Sequence, residues 1–221
     1  MQRIIVITGA NRGIGLALAR HYHAQGDQVI GICRASSAEL NQIASKVVDQ
    51  VDVTQMADIH KLVAELAGVK IDILINNAGI FLHETLQKMD FANIEQQMQI
   101  NAYAPLRLSH ALLGHLTAGS KIANITSRMG SIADNTSGGY YGYRASKAAL
   151  NAFGKSLAVD LKPRGIYVAQ LHPGYVQTRM VGFTGDITPE QAAAGIAARI
   201  EALNADNSGG FWHSNGAELP W

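Results

Sequence analysis

Short apolar runs rich in valine and isoleucine recur along the chain and alternate with segments of helical periodicity. Runs of this kind are typical of strands that are buried on both faces, as in a parallel sheet. The predicted strands are residues 3–8, 28–33, 47–53, 71–76, 121–126 and 166–172, with a last short strand within 210–216.

The segments between these runs have the spacing of amphipathic helices. The first two, "GIGLALARHYHAQG" and "TQMADIHKLVAELAG", stop at glycine, and the second opens on a threonine of the type that caps helices. Longer helical patterns cover about 90–116, 140–161 and 188–203. The alternation predicts a Rossmann-type, doubly wound parallel sheet of about seven strands with helices on both faces, a three-layer α/β/α fold.

No linker or low-complexity tract interrupts this alternation, so we expect residues 1–221 to form one domain that serves both cofactor binding and catalysis. The N-terminal segment "MQRIIVITGANRG" has only four apolar residues in a row before Thr-Gly, which is too short for a secretory signal and predicts a buried first strand instead. The tail "GAELPW" is expected to pack down through Trp221.

Composition then excludes several classes of function. The formal net charge is +1 without basic blocks, so nucleic acid is not an expected partner. No apolar run approaches the roughly 20 residues that a membrane span needs. Cys33 is the single cysteine, which rules out an internal disulfide framework. We therefore expect a cytoplasmic protein, and we predict no metal site.

A glycine-rich turn follows the first strand directly. In "TGANRGIG", residues 8–15, Gly9 would make a tight turn, and Gly13 and Gly15 would let the backbone approach a ligand closely. The pyrophosphate of a dinucleotide would lie over the free N–H groups that open the next helix. The residues predicted to bind it are Gly9, Asn11, Arg12, Gly13, Ile14 and Gly15. A plain strand–helix turn that uses glycine is the alternative.

The end of the second strand, "GICRASS", contains Arg34 and no acidic residue. A carboxylate there would bind ribose hydroxyls, whereas an arginine suits a 2′-phosphate. Arg12 of the glycine turn could approach the same phosphate. Both residues predict NADP(H) in preference to NAD(H), and the alternative is that Arg34 is a solvated loop residue.

Two tyrosines of "GGYYGYRASKAAL" each have a basic residue four positions later. Tyr140 precedes Arg144 and Tyr143 precedes Lys147 by one helical turn, so either pair could meet on one face of a helix. Lysine exchanges protons more readily than arginine, which favours the second pair. Its charge would lower the pKa of the phenol beside it. Tyr140 and Tyr141 are then expected to line a substrate pocket or to pack beside it.

These motifs together resemble the short-chain dehydrogenase/reductase family over essentially the whole length. The resemblance is strongest to the carbonyl-reductase-like branch that includes the C-factor and sniffer proteins. The motifs are "TGANRGIG", "VDVT" at 51–54, "NNAG" at 76–79, Asn101 in "QINAYAP", Ser127 in "NITSRMG", Tyr143 and Lys147 in "YRASK", and "HPGYVQT" at 172–178.

The resemblance implies a catalytic set of Asn101, Ser127, Tyr143 and Lys147. Tyr143 would exchange the proton, Ser127 would polarise the carbonyl group, and the side chain of Asn101 would hold a water linked to Lys147. Ser131 is a rival to Ser127, because the 16-residue gap from Ser127 to Tyr143 is longer than usual. Asn101 could instead be a satisfied buried amide without a part in turnover.

The resemblance also implies further cofactor contacts. Asp52 and Val53 would flank the adenine, and "PGYVQT", residues 173–178, would cover the nicotinamide side, with Val176 and Thr178 near the carboxamide. As alternatives, Asp52 could cap the following helix, and Asn76 and Asn77 could tie strand ends together. The cofactor contacts implied by resemblance are Asp52, Val53, Asn77, Ala78, Gly79, Tyr143, Lys147, Pro173, Gly174, Val176 and Thr178.

The function predicted from all this is an NADP(H)-dependent oxidoreductase that transfers hydride between the nicotinamide and a carbonyl or alcohol substrate. The alternative is a cofactor-binding signalling or sensor protein of the C-factor type, whose output does not depend on turnover. A homodimer or homotetramer through the helices at 90–116 and 140–161 is also expected.

Overall fold

A computed structural model describes residues 2–221, and its centre is one parallel sheet of seven strands. The strand order is β3-β2-β1-β4-β5-β6-β7, in which the direction of winding reverses between β1 and β4. This confirms the predicted doubly wound fold. The strands are β1 Ile4–Thr8, β2 Gln28–Ile32, β3 Lys46–Val48, β4 Ile71–Asn76, β5 Leu116–Ile125, β6 Tyr167–His172 and β7 Phe211–His213.

Helices cover both faces of the sheet. Ile5 and Ile7 of β1 face a core shared with α1 and α7, while Val6 between them faces a second core shared with α3, α5 and α6. Because both faces are buried, the strands have no polar alternation. The helices are α1 Gly13–Ala24, α2 Ala38–Ile43, α3 Met56–Glu65, α4 Phe91–Met98, α5 Ala104–Ala111, α6 Tyr141–Leu161 and α7 Pro189–Glu201.

Some element boundaries differ from the prediction. The predicted strand 47–53 ends at Val48, because Gln50 has a φ of 54° that no strand residue adopts. The short helix α2 was not predicted, since six residues are too few to show a helical period. Helix α3 begins after Gln55, which makes no side-chain cap, so the expected capping role of Thr54 is wrong.

The predicted helix at 90–116 is interrupted. Its middle, Gln99–Tyr103, forms a π-helical turn between α4 and α5, and β5 already begins at Leu116. Pro105 explains the interruption: it has no N–H, and its ring crowds the carbonyl group four residues earlier, that of Asn101. The sequence "NAYAP" thus places an irregular turn directly at Asn101.

The tail runs back along the edge of the sheet. Leu219 is 8% exposed, and the Trp221 ring centroid lies 5.4 Å from that of Phe211 while the residue stays 47% exposed. The tail therefore packs down as predicted, but the buried residue is Leu219.

Candidate active site

Helix α6 carries the two residues of the "YRASK" motif on one face. The Lys147 Nζ lies 5.7 Å from the centroid of the Tyr143 ring. The Lys147 ammonium is buried and donates a hydrogen bond of 2.9 Å to the Ile125 carbonyl oxygen at the end of β5. The pair therefore lies at the carboxyl ends of the strands, where sheets of this type build their sites.

The competing pair, Tyr140 and Arg144, does not form. Tyr140 has a left-handed backbone with a φ of 53° and precedes α6, so the helical four-residue spacing does not apply to it. Its ring stacks on His83 at 4.3 Å and on Phe81 at 5.3 Å, and Arg144 donates to the Ser137 hydroxyl instead. Phe81 in turn meets the Tyr143 ring edge-on at 4.8 Å.

The first turn of α6 is held by a carboxylate that sequence reasoning missed. The Glu84 side chain is fully buried and accepts hydrogen bonds from the Gly142 N–H at 3.1 Å and from the Gln97 amide at 2.8 Å. A Cβ at Gly142 would lie 2.4 Å from the Gln97 Nε2, so only glycine lets α4 approach this closely. Nothing in "FLHETLQKMD" distinguishes Glu84 from an exposed loop residue.

The structure places Ser127 and Ser131 in different surroundings. Ser127 lies just beyond the end of β5, where its side chain is close enough to Tyr143 to act against the rise in the pKa of the phenol. Its hydroxyl oxygen accepts the Met129 N–H at 3.1 Å. Ser131 instead donates to the Trp221 backbone oxygen at 3.1 Å and accepts from the Asp134 N–H. Ser127 is therefore the serine beside Tyr143.

Burial is the main cause of the pKa shifts of both Tyr143 and Lys147. It raises the pKa of Tyr143 to about 12, against the opposing effect of Ser127. It lowers the pKa of Lys147 to about 8. In the protein by itself the pKa of Tyr143 is set by desolvation of the phenolate and by Ser127, and the lowering effect expected from the Lys147 charge stays a prediction for the site with its cofactor.

Asn101 lies in the π-helical turn and is fully buried. Its amide group donates to the Ile80 carbonyl oxygen and to the Ser146 hydroxyl, and its Oδ1 accepts the Ile80 N–H at 2.8 Å. Both hydrogens of the Asn101 amide group are therefore already used in hydrogen bonds. The side chain could hold the expected water only through the second lone pair of its Oδ1. The backbone carbonyl group is the better acceptor, because Pro105 cannot supply the hydrogen bond it would receive in an α-helix.

The glycine turn has two kinds of glycine. Gly9 and Gly13 have φ values of 65° and 55°, which favour glycine. A Cβ at Gly15 would lie 2.2 Å from the Gly9 carbonyl oxygen, so packing inside the turn already requires glycine there. The close approach of a ligand to Gly15 stays a prediction. A Cβ at Gly13 would face the Thr178 methyl group at 3.6 Å, which brings residues 172–178 opposite this turn.

The asparagines after β4 tie strand ends together. The Asn77 amide donates to the Thr8 carbonyl oxygen at 2.9 Å, and the N–H groups of Asn77 and Ala78 donate to the Thr8 hydroxyl. Asn76 donates to Asn124 on β5 at 2.9 Å. Gly79 follows these asparagines and lies beside Lys147: a Cβ at Gly79 would be 3.7 Å from the Lys147 Nζ.

The glycine turn and the loop after β2 each present an exposed arginine. Arg12 and Arg34 are both exposed, and within residues 2–221 neither pairs with a carboxylate. The Asn11 amide donates to the Ala35 carbonyl oxygen at 2.8 Å and joins the glycine turn to the Arg34 loop. One Asp52 carboxylate oxygen accepts hydrogen bonds from the Thr54 N–H and hydroxyl, so Asp52 forms a local turn. Its second carboxylate oxygen accepts no hydrogen bond in this turn.

The remaining predicted cofactor contacts lie after β6, after β3, after β4 and at the start of α1. Gly174 has a φ of 96° after the buried Pro173, and Val176 is buried and bridges to Ile187. Val53 and Ala78 line one small cavity with Thr8. Ile14 is half-buried at the start of α1.

Comparison with known proteins decides the family. The family model described as "short chain dehydrogenase" matches residues 3–187. The chain belongs to the short-chain dehydrogenase family. A curated relative, 1-hydroxy-2-glutathionyl-2-methyl-3-butene dehydrogenase of Rhodococcus sp. (strain AD45), is 40% identical over 223 residues, covering 98% of this chain and 99% of the relative.

Two further similarities confirm the carbonyl-reductase-like branch. C-signal of Myxococcus xanthus is 44% identical over 154 residues, which are 68% of this chain and 93% of C-signal. The NADPH-bound carbonyl reductase from chicken fatty liver superposes with a TM-score of 0.90 at 32% identity, covering 100% of this chain and 99% of that one. This short-chain dehydrogenase is thus an oxidoreductase by family.

In this short-chain dehydrogenase, none of the helices within residues 2–221 is long and apolar enough to cross a membrane. The same part of the chain contains no group of three or more His, Cys, Asp or Glu side chains that could hold a metal ion.

Proposed function

We propose that this short-chain dehydrogenase uses NADP(H) to interconvert a carbonyl compound and an alcohol, with Tyr143 as the proton-exchanging group. The observation that carries the proposal is the meeting of Tyr143, Lys147 and Ser127 at the carboxyl end of β5. A phenol, an ammonium and a hydroxyl at one strand end form a proton-transfer site beside the glycine turn.

The residues present fit a nicotinamide dinucleotide. The Lys147 ammonium uses one of its three N–H groups on Ile125, so two remain for ribose hydroxyls on the side where Gly79 leaves room. Gly9 and Gly13 would face the pyrophosphate at the start of α1. When bound, the nicotinamide supplies or accepts the hydride. Arg12 and Arg34 would bind the 2′-phosphate, and this selects NADP(H).

The protein's own groups supply the proton and the polarisation. With a pKa of about 12, Tyr143 is a neutral phenol at ordinary pH and is ready to donate to a carbonyl oxygen. The Ser127 hydroxyl accepts from Met129, which leaves its hydrogen to donate to the same oxygen. After Tyr143 has given its proton to the product, the Lys147 ammonium would supply the replacement, and a water held by the Asn101 carbonyl group would reprotonate Lys147.

Exposed apolar side chains on the outer faces of α4 and α6 support a proposed homodimer. Phe91 at the start of α4 is 72% exposed and Val159 on α6 is 62% exposed. Two copies would bury such side chains by pairing these helices. Light scattering at micromolar concentration should give twice the 23.6 kDa chain mass, and a monomer mass would contradict the proposal.

The function is tested by binding and turnover measured on the same preparations. NADPH fluorescence titration should show binding in the wild type, in Tyr143→Phe and in Tyr140→Phe. A panel of aliphatic ketones, aromatic aldehydes and quinones should be reduced by the wild type. Tyr143→Phe should lower the rate roughly 10³-fold, and Tyr140→Phe should keep most of it.

The two variants also separate the candidate functions. The reverse ranking of Tyr143→Phe and Tyr140→Phe would overturn the catalytic assignment. NADPH binding without turnover of any carbonyl compound would favour a sensor instead of an enzyme.

A further inference from the structure

The last residues of the chain, 217–221, form a segment fixed to the edge strand β7. The Leu219 N–H donates to the Phe211 carbonyl oxygen at 2.8 Å, and the His213 N–H donates to the Ala217 carbonyl oxygen at 2.8 Å. The Trp221 ring packs on Phe211 at 5.4 Å. We call residues 217–221 the edge segment.

The edge segment ends on the loop that follows Ser127. The Trp221 backbone oxygen accepts two hydrogen bonds from this loop, from the Ala133 N–H at 2.9 Å and from the Ser131 hydroxyl at 3.1 Å. Ser131 is 2% exposed, whereas Ile132 between the two donors is 81% exposed. One acceptor 90 residues away in sequence therefore holds an otherwise exposed turn.

Hydrogen bonds connect the same turn to Ser127. The Met129 N–H donates to the Ser127 Oγ at 3.1 Å, and the Gly130 N–H donates to the Ser127 carbonyl oxygen at 2.8 Å. A Cβ at Gly130 would lie 2.7 Å from the Lys147 carbonyl carbon, so the turn packs directly on the helix that carries Tyr143. A displacement of residues 131–134 would therefore be transmitted to the Ser127 hydroxyl.

We propose that the edge segment is a positioning element of the site: through Ser131 and Ala133 it orders residues 128–134 and so holds the Ser127 hydroxyl at the Tyr143 phenol. The inference rests on the proposed function for the role of Ser127. It also gives Ser131 a part different from that of a rival catalytic serine.

Apart from the Trp221 contacts, the turn is held by hydrogen bonds among its own residues, by the exposed Arg128–Asp134 ion pair and by a long hydrogen bond of 3.5 Å from the Asn151 amide to the Gly130 carbonyl oxygen. An exposed ion pair and local hydrogen bonds contribute little, so we expect the turn to open readily without Trp221.

The test uses the full chain with Ser131→Ala and a matched control, Ser208→Ala. Ser208 also accepts a backbone N–H, that of Val168 at 3.0 Å, but it precedes β7 and does not contact the turn. Amide hydrogen exchange, followed by NMR without any ligand, is measured at Ala133 and at Met129. Ser131→Ala removes two hydrogen bonds, the one to the Trp221 backbone oxygen and the one from the Asp134 N–H, and should speed exchange at both amides at least about fivefold. Ser208→Ala should leave both exchange rates unchanged.

Kinetics adds a readout that general destabilisation would not give. With 4-nitrobenzaldehyde as the probe carbonyl, Ser131→Ala should lower kcat/KM about tenfold while the NADPH Kd stays unchanged. Ser208→Ala should change neither value. If the wild type reduces no carbonyl compound, the proposed function fails, and the exchange rate at Met129 still decides whether the edge segment holds Ser127.

Two outcomes overturn the inference. Faster exchange at Ala133 with an unchanged Met129 would show that the effect stops within the loop. Unchanged exchange at both amides would show that the Trp221 contact does not order the turn. If Ser131→Ala does not fold, Trp221→Ala removes the ring that packs on Phe211, keeps the backbone acceptor, and is judged by the same two amides.

Discussion

The side of the site where we propose the cofactor and the side where we propose the substrate, called the cofactor side and the substrate side below, are built by different means. On the cofactor side, Thr8, Gly9 and Asn77 follow β1 and β4, which are paired parallel strands, so the sheet itself brings them together. On the substrate side, Glu84 reaches Gly142 and Ser131 reaches Trp221 through loops that the sheet does not align.

This difference has a physical consequence. Strand ends in a parallel sheet meet wherever the strand pattern is present, so the cofactor side follows from the fold. Loop contacts depend on individual side chains and their hydrogen bonds. We therefore expect changes on the cofactor side to act through backbone geometry and changes on the substrate side to act through single polar groups.

On the cofactor side, we expect the largest effect on stability from Gly15→Ala. Its Cβ would lie 2.2 Å from the Gly9 carbonyl oxygen, so the turn must open. We expect a loss of about 4 kcal/mol in the free energy of unfolding, measured by urea denaturation, and a loss of NADPH binding. Gly114→Ala is the control, because a Cβ there meets nothing within 4 Å. Equal stability of the two variants would contradict the packing argument.

On the substrate side the largest effect is expected for Glu84→Ala. It leaves the Gly142 N–H and the Gln97 amide buried without an acceptor, which should cost about 3 kcal/mol. Glu84→Gln keeps an acceptor oxygen and should cost less. Urea unfolding measures both, and kcat should fall with unchanged NADPH affinity. If Glu84→Ala changed neither the free energy of unfolding nor kcat, the carboxylate would not be what holds α6.

Lys147 lies where the two sides meet, and its burial predicts a pH-dependent stability. Its folded-state pKa of about 8 is below the usual 10.5, so the unfolded chain binds more protons between these pH values. Stability should therefore rise with pH from about 8 by up to about 3 kcal/mol. Tyr143, raised from 10.0 to about 12, acts in the opposite direction above pH 10.

Unfolding of the wild type and of Lys147→Met is compared at pH 7 to 10. The rise from pH 8 to 10 should be absent in the variant. A rise that survives the substitution would assign it to another group.

The smallest expected effect concerns cofactor choice. Arg34→Asp places a carboxylate where we expect the 2′-phosphate, so the NADPH Kd should rise by about 10- to 100-fold relative to that of NADH. Arg34→Gln removes the charge alone and should give a smaller shift. Fluorescence titration with both cofactors measures this. An unchanged preference in Arg34→Asp would leave Arg34 as a solvated loop residue.

The sequence predicted best what periodicity and backbone conformation control. The apolar runs gave the strands, because burial on both faces leaves an unmistakable pattern. The positions of Gly9 and Gly13 gave the turn, because their φ values require glycine. The sequence did not reveal the individual polar contacts inside the site: Gly15 packs on the Gly9 carbonyl oxygen, and the Asn101 side chain bonds to Ile80 and Ser146. The second contact agrees with the alternative that Asn101 is a satisfied buried amide.

The sequence by itself determined the doubly wound sheet, the glycine turn and the spacing that sets Tyr143 one helical turn before Lys147. Only the tertiary structure decided that Tyr140 lies outside α6, that burial raises the pKa of Tyr143, and that Glu84 and Trp221 support the site. The reason is that local patterns encode dihedral angles and buried faces. Desolvation and loop contacts arise only after distant segments have packed.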